Sequence, residues 1–482
     1  MRCDDLNRPL WASVCLIIAV IWIFLPGPVS ADGLPSSGSG SLFDPDDALE
    51  MEDELFEELP APEANASFFS VLKNHSKCSL GQQLSWAVQR PVSQNGSEAA
   101  SAPDPFEMVT HTTWYRHEFE HLFQGNLFMR FDGKLFMHWP DDHRYTTPSR
   151  VGELTGKIRE WYVQAGYDRL SLTLGKKITI WGKADASVVT DLVSPRDLTD
   201  FMFTRIEDSR SGQYMAALDL YSDRGNLFFY LSPAPEPDRV PEIGNRYHIP
   251  TGVSDPVFYR TDHLELGDIE TGIRYAHTIG KTDFSLLAGR FYDNSGILDE
   301  APVPTGSTRI LTRTFLPFTA IGGDINLARS NFLYKIEAAW KHDHPVQNID
   351  SMGRFCQEEA TLLDVAAGVE YLSNDQLSLS LECSHRQIID TPLADHLYRE
   401  NETAFYSTLS KDFLNQTLKL EFTTFFHLQD HDLFNLLRLT YDLTDWIQIE
   451  AGLGIFTSRH RDSLLYPFRN EDRFSLELTC HF

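Results

Sequence analysis

The stretch Phe474-Ser475-Leu476-Glu477-Leu478-Thr479-Cys480-His481-Phe482 decides how this chain of 482 residues is read. Phe474, Leu476, Leu478, Cys480 and Phe482 share one parity, and Ser475, Glu477, Thr479 and His481 share the other. Successive side chains of a strand point to opposite faces, so the segment has one apolar and one polar face. The same alternation recurs upstream. Leu127, Met129, Phe131, Leu135 and Met137 alternate with Arg130, Asp132 and Lys134. Phe332, Tyr334, Ile336, Ala338 and Trp340 alternate with Lys335, Glu337 and Lys341. Leu377, Leu379, Leu381 and Cys383 alternate with Ser378, Ser380, Glu382 and Ser384. Leu418, Leu420, Phe422 and Phe426 alternate with Lys419, Glu421 and Thr423, and Ile447, Ile449, Ala451, Leu453 and Ile455 with Gln448, Glu450, Gly452 and Gly454.

The pattern predicts strands near 125–138, 155–166, 169–181, 211–222, 226–232, 266–277, 282–292, 310–328, 331–342, 360–371, 376–388, 402–411, 415–428, 431–442, 445–457 and 472–482. Most are long enough for a tilted membrane crossing. Tight turns alternate with longer links at 139–154, 182–210, 233–265, 293–309, 343–359, 389–401 and 458–471, with one short exception at 427–430. Short turns on one side and long loops on the other are the habit of a transmembrane barrel. The fold class expected is therefore all-β: a transmembrane antiparallel up-and-down β-barrel of about sixteen strands, with fourteen or eighteen also compatible. The terminal strand ending in Phe482 resembles the last strand of Gram-negative outer-membrane β-barrels. That resemblance implies outer-membrane lipid and the barrel-assembly machinery as partners, the latter through Phe482. Aromatic residues near strand ends, Trp139, Trp161, Tyr167, Trp181, Tyr221, Tyr292, Tyr371, Tyr441 and Trp446, are candidates for interfacial girdles.

The amino-terminal end sets the compartment. Arg2 and Arg8 precede an apolar run at 10–25, followed by Pro26, Pro28 and the small-residue exit Val29-Ser30-Ala31. This reads as a cleaved signal peptide over 1–31. No later segment approaches an uninterrupted apolar run of about 20 residues. Residues 32–108 carry an acidic block, with Asp46, Asp47, Asp53, Glu54, Glu57 and Glu58 among its members, and then scattered prolines. We read them as a mostly disordered periplasmic arm, with short helices at 48–59 and 68–72, that is either a solvated tail or a segment that binds a periplasmic partner or plugs the lumen. The barrel is expected over 109–482.

A formal net charge of −28 argues against a nucleic-acid partner. Beyond the signal peptide the cysteines are Cys78, Cys356, Cys383 and Cys480, with no metal-ligand spacing, and spacing gives a Cys78–Cys356 disulfide no support. No metal or cofactor is expected. If the apolar parity faces lipid, the other parity lines the lumen. It includes Arg130, Lys134, Lys177, Arg274, Lys335, Glu337, Arg386, Lys419, Glu421, Arg438 and Glu450, joined by Asp132, Glu160, Asp219, Glu270, Asp364, Glu370, Glu382 and Glu477. Ionised groups of both signs stay hydrated in a wide wet lumen, whereas a dry core would leave many unpaired at high cost.

The segment 175–185, Gly-Lys-Lys-Ile-Thr-Ile-Trp-Gly-Lys-Ala-Asp, leads to Asp191-Leu192-Val193-Ser194-Pro195-Arg196-Asp197. It resembles a group of proteobacterial barrels similar to alginate-export porins, which carry a Gly-(Arg/Lys)-x-x-x-x-Trp-Gly strand followed by Asp and a Pro-x-Asp turn. The match covers about 25 residues closely. It implies that the following loop folds into the lumen and lines a constriction, here through Lys183, Asp185, Asp191, Arg196, Asp197, Asp200, Arg205, Asp208 and Arg210. The plainer alternative is that Arg196 and Asp197 cap a loop turn. The function expected is a porin-like channel for small polar or anionic solutes or an exported polysaccharide. The alternatives are an envelope-assembly or adhesin barrel and, further off, a lipid or peptide hydrolase. The hydrolase has only His342, Asp343, His344 and His460 to offer and lacks a Gly-x-Ser-x-Gly or His-Glu-x-x-His motif, so no enzyme is expected.

Overall fold

The computed structural model describes residues 75–88, 106–123, 125–140, 142, 152–184, 187–241, 245–248, 257–300, 309–350, 353–390, 400–461 and 463–482. The signal peptide, the two short helices, most of the arm and Asp185 lie outside them. The strands are β1 (Ser76–Ala87), β2 (Met108–Phe123), β3 (Leu127–His138), β4 (Glu153–Tyr167), β5 (Leu170–Lys177), β6 (Gln213–Ser222), β7 (Gly225–Ser232), β8 (Val257–Thr261), β9 (Glu270–Ile279), β10 (Thr282–Tyr292), β11 (Ile297–Glu300), β12 (Arg309–Thr314), β13 (Pro317–Arg329), β14 (Phe332–Ile349), β15 (Phe355–Leu372), β16 (Leu377–Ile388), β17 (Asn401–Phe413), β18 (Leu418–His427), β19 (Asp432–Thr444), β20 (Ile447–Thr457) and β21 (Arg473–His481). All but β8, β11 and β12 form one 18-stranded antiparallel sheet, in which each strand pairs with the next and β21 returns to β1. β8, β11 and β12 make a separate 3-stranded sheet within the long links, with β8 and β12 parallel.

Closure follows from the physics of a bilayer, where an unpaired strand edge leaves backbone groups with no partner. The seam is tight. The Cys78 amide donates to the Phe482 carbonyl at 2.9 Å, and the Phe482 amide donates back to Cys78 at 2.8 Å. Behind the seam Trp114 lies across Gly81, where a Cβ would sit 2.2 Å from the indole, and its Nε1 donates to Glu477 at 2.9 Å. The alternation sorts itself across the wall. Leu172, Leu174, Ile321, Ile325, Ile336, Leu381, Leu439, Leu476 and Leu478 are exposed on the outside, while Asp324, Glu337, Lys341 and Asp364 are buried on the inside. An apolar belt around a closed barrel with charged groups inward is the inside-out arrangement that lipid requires.

Four expectations need correction. The barrel begins inside the segment read as an arm, because β1 occupies Ser76–Ala87 and β2 starts at Met108. The count is 18, the upper of the compatible numbers, and the two extra strands are β1 and β2. The expected strand at 310–328 is two elements, β12 in the small sheet and β13 in the barrel. Trp181 is no girdle residue: β5 ends at Lys177, and Trp181 is buried inside the barrel. Tyr292 is buried as well, whereas Trp139, Trp161, Tyr167, Tyr441 and Trp446 are exposed, as girdle residues must be. Cys78 and Cys356 are both free thiols.

Candidate functional site

Residues 178–212 join β5 to β6 and turn inward at once. Trp181 packs edge-on against Phe228, Tyr230 and Phe291, with ring centroids 5.5 to 6.0 Å apart. Gly272 makes the room, since a Cβ there would lie 2.7 Å from the indole. Leu192 and Val193 are buried in the same cluster. This apolar anchor holds the connection against the inner wall of β7, β9 and β10.

Two lobes extend from the anchor. The first is built from 183–184 and 187–190. The amides of Lys183 and Ala184 donate to one oxygen of Glu337 on β14, and the Thr190 hydroxyl donates to the other at 2.8 Å. The Ser187 amide and hydroxyl donate to Glu382 on β16 at 3.1 and 2.7 Å. Lys341 on β14 donates to the Val188 carbonyl at 3.3 Å. The lobe closes where Gly182 meets Asp191, because a Cβ on Gly182 would lie 2.8 Å from that of Asp191.

The second lobe spans 197–209 and closes at a bridge between Arg196 and Arg210. Its turn at Phe201–Phe203 sits among Tyr247, Phe434, Phe456 and Phe468. Gly454 opens the seat, for a Cβ there would come within 2.3 Å of Phe203. Arg438 on β19 donates to the Phe203 carbonyl at 2.9 Å, and Arg205 pairs with Glu450 on β20. Asp208 pairs with Lys134 on β3 at 3.1 Å and with Arg159 on β4 at 3.7 Å. These partners sit on inward faces on several sides of the ring, so the connection lies within the barrel.

Asp191 fastens both lobes. Its carboxylate accepts from the Trp181 amide at 3.3 Å, from Arg196 at 3.3 Å and from Arg210 at 3.0 Å. Asp197 accepts from Lys157 at 2.9 Å and from the Thr199 hydroxyl at 2.6 Å. Burial would raise the Asp197 and Asp208 carboxyls, but Lys157 and Thr199, and Lys134 and Arg159, outweigh it and hold both below the usual range. Burial lowers the Lys183 amine, and Arg274 lowers it further. Asp238, in the link between β7 and β9, accepts from the Arg196 amide at 2.6 Å, and burial pushes its carboxyl up to about 6.

Lys183, Asp191, Arg196, Asp197, Arg205, Asp208 and Arg210 therefore all belong to the inward connection, and Asp200 heads the Phe201–Phe203 turn. The wall residues pair among themselves. Arg130 meets Glu160 at 2.7 Å and Glu120 at 3.0 Å, Arg386 meets Asp364 at 2.8 Å, and Lys335 meets Glu370. Arg274 reaches Asp324 at 3.7 Å, Lys177 lies over the Tyr162 ring at 5.5 Å, and Lys419 reaches Glu421 at 3.4 Å. Arg438 lies 3.5 Å from Glu421 and 3.7 Å from Glu450.

The lobes leave part of the wall uncovered. The first meets β14 and β16 and the second meets β19 and β20, so β17 and β18 lie between them. On β17 every inward position from Glu402 to Asp412 is only half-buried, and Lys419 on β18 is exposed. By contrast Thr173, Asp324, Glu337, Lys341 and Asp364 are buried on other arcs. Sequence reasoning missed Lys157, Asp238, Tyr247 and Thr190, which anchor the lobes, and put Lys341 on the polar parity without giving it a role. It also missed Arg159, the extra residue at a bulge between Asp132 and Gly133. Nothing local marks Asp238 as a partner of Arg196.

Fold and interior together define a transmembrane β-barrel whose lumen is partly filled by one of its own connections. No protein-family model and no curated protein matches the sequence. Solved structures with a similar chain course include Acinetobacter baumannii OccAB1, at 8% identity, covering 85% of this chain and 96% of that chain with a TM-score of 0.49. Another is Pseudomonas aeruginosa OccK2 (OpdF) in complex with glucuronate, at 10% identity, covering 84% and 97% with a TM-score of 0.46. A third is Salmonella typhi OmpF in complex with daunomycin, at 8% identity, covering 84% and 97% with a TM-score of 0.40. These are likenesses of the barrel alone.

Proposed function

We propose that the protein is a passive channel for small polar and charged solutes, narrowed by the two lobes and open along β17 and β18. The half-buried inward face of β17 carries this reading, because it is wall that the inward connection does not cover. Lys183, Asp191, Arg196, Asp197, Asp200, Arg205, Asp208 and Arg210 form the narrowing body. Arg205, Glu450, Arg438, Glu421 and Lys419 give the opening a mixed-charge edge. Charges at a narrow pore set ion preference. Planar-bilayer recording of the purified barrel tests the reading. Discrete conductance steps are expected, and Arg205→Ala should shift the cation-to-anion permeability ratio toward cations. A silent bilayer with correctly folded protein would remove the channel.

A further inference from the structure

The strip of wall left open by the lobes differs in chemistry from the rest of the lumen. Elsewhere the inward positions are ion pairs, carboxylates and apolar side chains packed on the connection, and their hydroxyls, such as Thr112, Thr173 and Ser285, are buried. On β16, β17 and β18 six half-buried inward hydroxyls lie together, Ser378, Ser380, Tyr406, Thr408, Ser410 and Thr423, with the inward carboxylates Glu382 and Glu421 beside them. Register gathers them. Ser378 lies opposite Ser410, Ser380 opposite Thr408, and Thr408 opposite Thr423, with 3.3 Å between the last two hydroxyl oxygens. All six are half-buried and share the inward parity of their strands. Neighbouring positions across a sheet are about 5 Å apart and successive same-face positions about 7 Å apart. The six thus form a small lattice of hydroxyls at roughly these spacings, bordered by Glu421 and Lys419.

We propose that this lattice is a binding track for uncharged polyhydroxylated solutes, that is, mono- and disaccharide-sized polyols; the inference rests on the channel reading above. A hydroxyl both donates and accepts, so a row of them matches a polyol in many orientations without either side stripping water from a charge. The track's spacing lets one sugar ring engage hydroxyls of two strands at once. Weak, repeated contacts of this kind slow a solute without trapping it, which passage requires.

The test is block of potassium chloride current in a planar bilayer, with sucrose as the probe and triethylene glycol dimethyl ether as an uncharged solute without hydroxyls. Sucrose should reduce the current in a saturable way, and the ether only in proportion to viscosity. The double variant Thr408→Val with Thr423→Val keeps shape and removes two hydroxyls, and should weaken sucrose block about fivefold. Ser407→Val, whose side chain points outward between Tyr406 and Thr408, should leave both current and block unchanged. Current with equal effects of sucrose and ether, or block untouched in the double variant, overturns the track while leaving the channel standing. Absence of any current overturns both.

Discussion

Removing the Asp191 carboxylate would leave Arg196 and Arg210 facing one another with no shared counter-ion. Stripping one member from such a buried group costs about 3 kcal/mol or more. Asp191→Ala should therefore lower the detergent melting midpoint and give a noisier, larger current, read in the same bilayer recording. Trp181→Ala removes the apolar anchor, at about 3 to 5 kcal/mol for a fully buried indole. It should expose residues 187–193 to protease while the wall strands stay resistant. Asp238 gives a pH dependence with a definite sign. Burial raises its carboxyl from an ordinary 3.8 to about 6, against the pull of Arg196, so the stability it gives the folded link is complete below 3.8 and is lost as pH rises through about 6. Amide protection at Arg196 and Leu198, corrected for intrinsic exchange, should fall between pH 5 and 7 by about tenfold or more. The fall should vanish in Asp238→Asn, which keeps the acceptor oxygen but cannot ionise.

At the scale of elements, the second lobe is a removable body. Its neck brings the Asp197 amide within 2.5 Å of the Ser209 carbonyl, so a Gly-Gly turn in place of residues 198–208 can bridge it. That deletion should raise single-channel conductance severalfold and leave the barrel folded; unchanged conductance would show that the lobe does not narrow the path. How much of this was legible follows from what each element shows locally. β14, β16, β20 and β21 alternate cleanly because lipid demands apolar groups on one face and the lumen tolerates charge on the other. β1 does not: Gln82 occupies an outward position, bonded to the Thr113 hydroxyl, and the strand follows a proline-rich acidic stretch that dominates any window. β2 presents His111, Thr113, Tyr115 and His117 outward, which are amphipathic rather than apolar, so a period of two is present but muted. The inward turn after Lys177 was suggested by resemblance, yet Trp181 looked like an interfacial residue because a Trp at a strand exit serves either place. Whether its ring meets lipid headgroups or Tyr230 depends on Gly272, some ninety residues away, and no local pattern carries that.

The whole molecule depends on closure. Deleting residues 32–74 should leave a barrel that resists protease in detergent, while deleting 32–88 removes β1 and exposes the facing edges of β2 and β21. Each unpaired backbone group in lipid costs several kcal/mol, so the longer deletion should fail to insert and should aggregate. An intact barrel after the longer deletion would show that another strand can complete the ring. The seam itself has a topological consequence. Because Cys78 and Phe482 are hydrogen-bonded neighbours, the ring has no privileged starting point, and the chain can be reopened elsewhere. A circular permutant joining 482 to 75 and cut between Gly280 and Lys281 keeps every ladder but ends on a different residue. If it refolds from urea into detergent micelles yet stalls during biogenesis in cells, geometry is satisfied by the circle alone, and the cell reads the exposed aromatic terminus as an address.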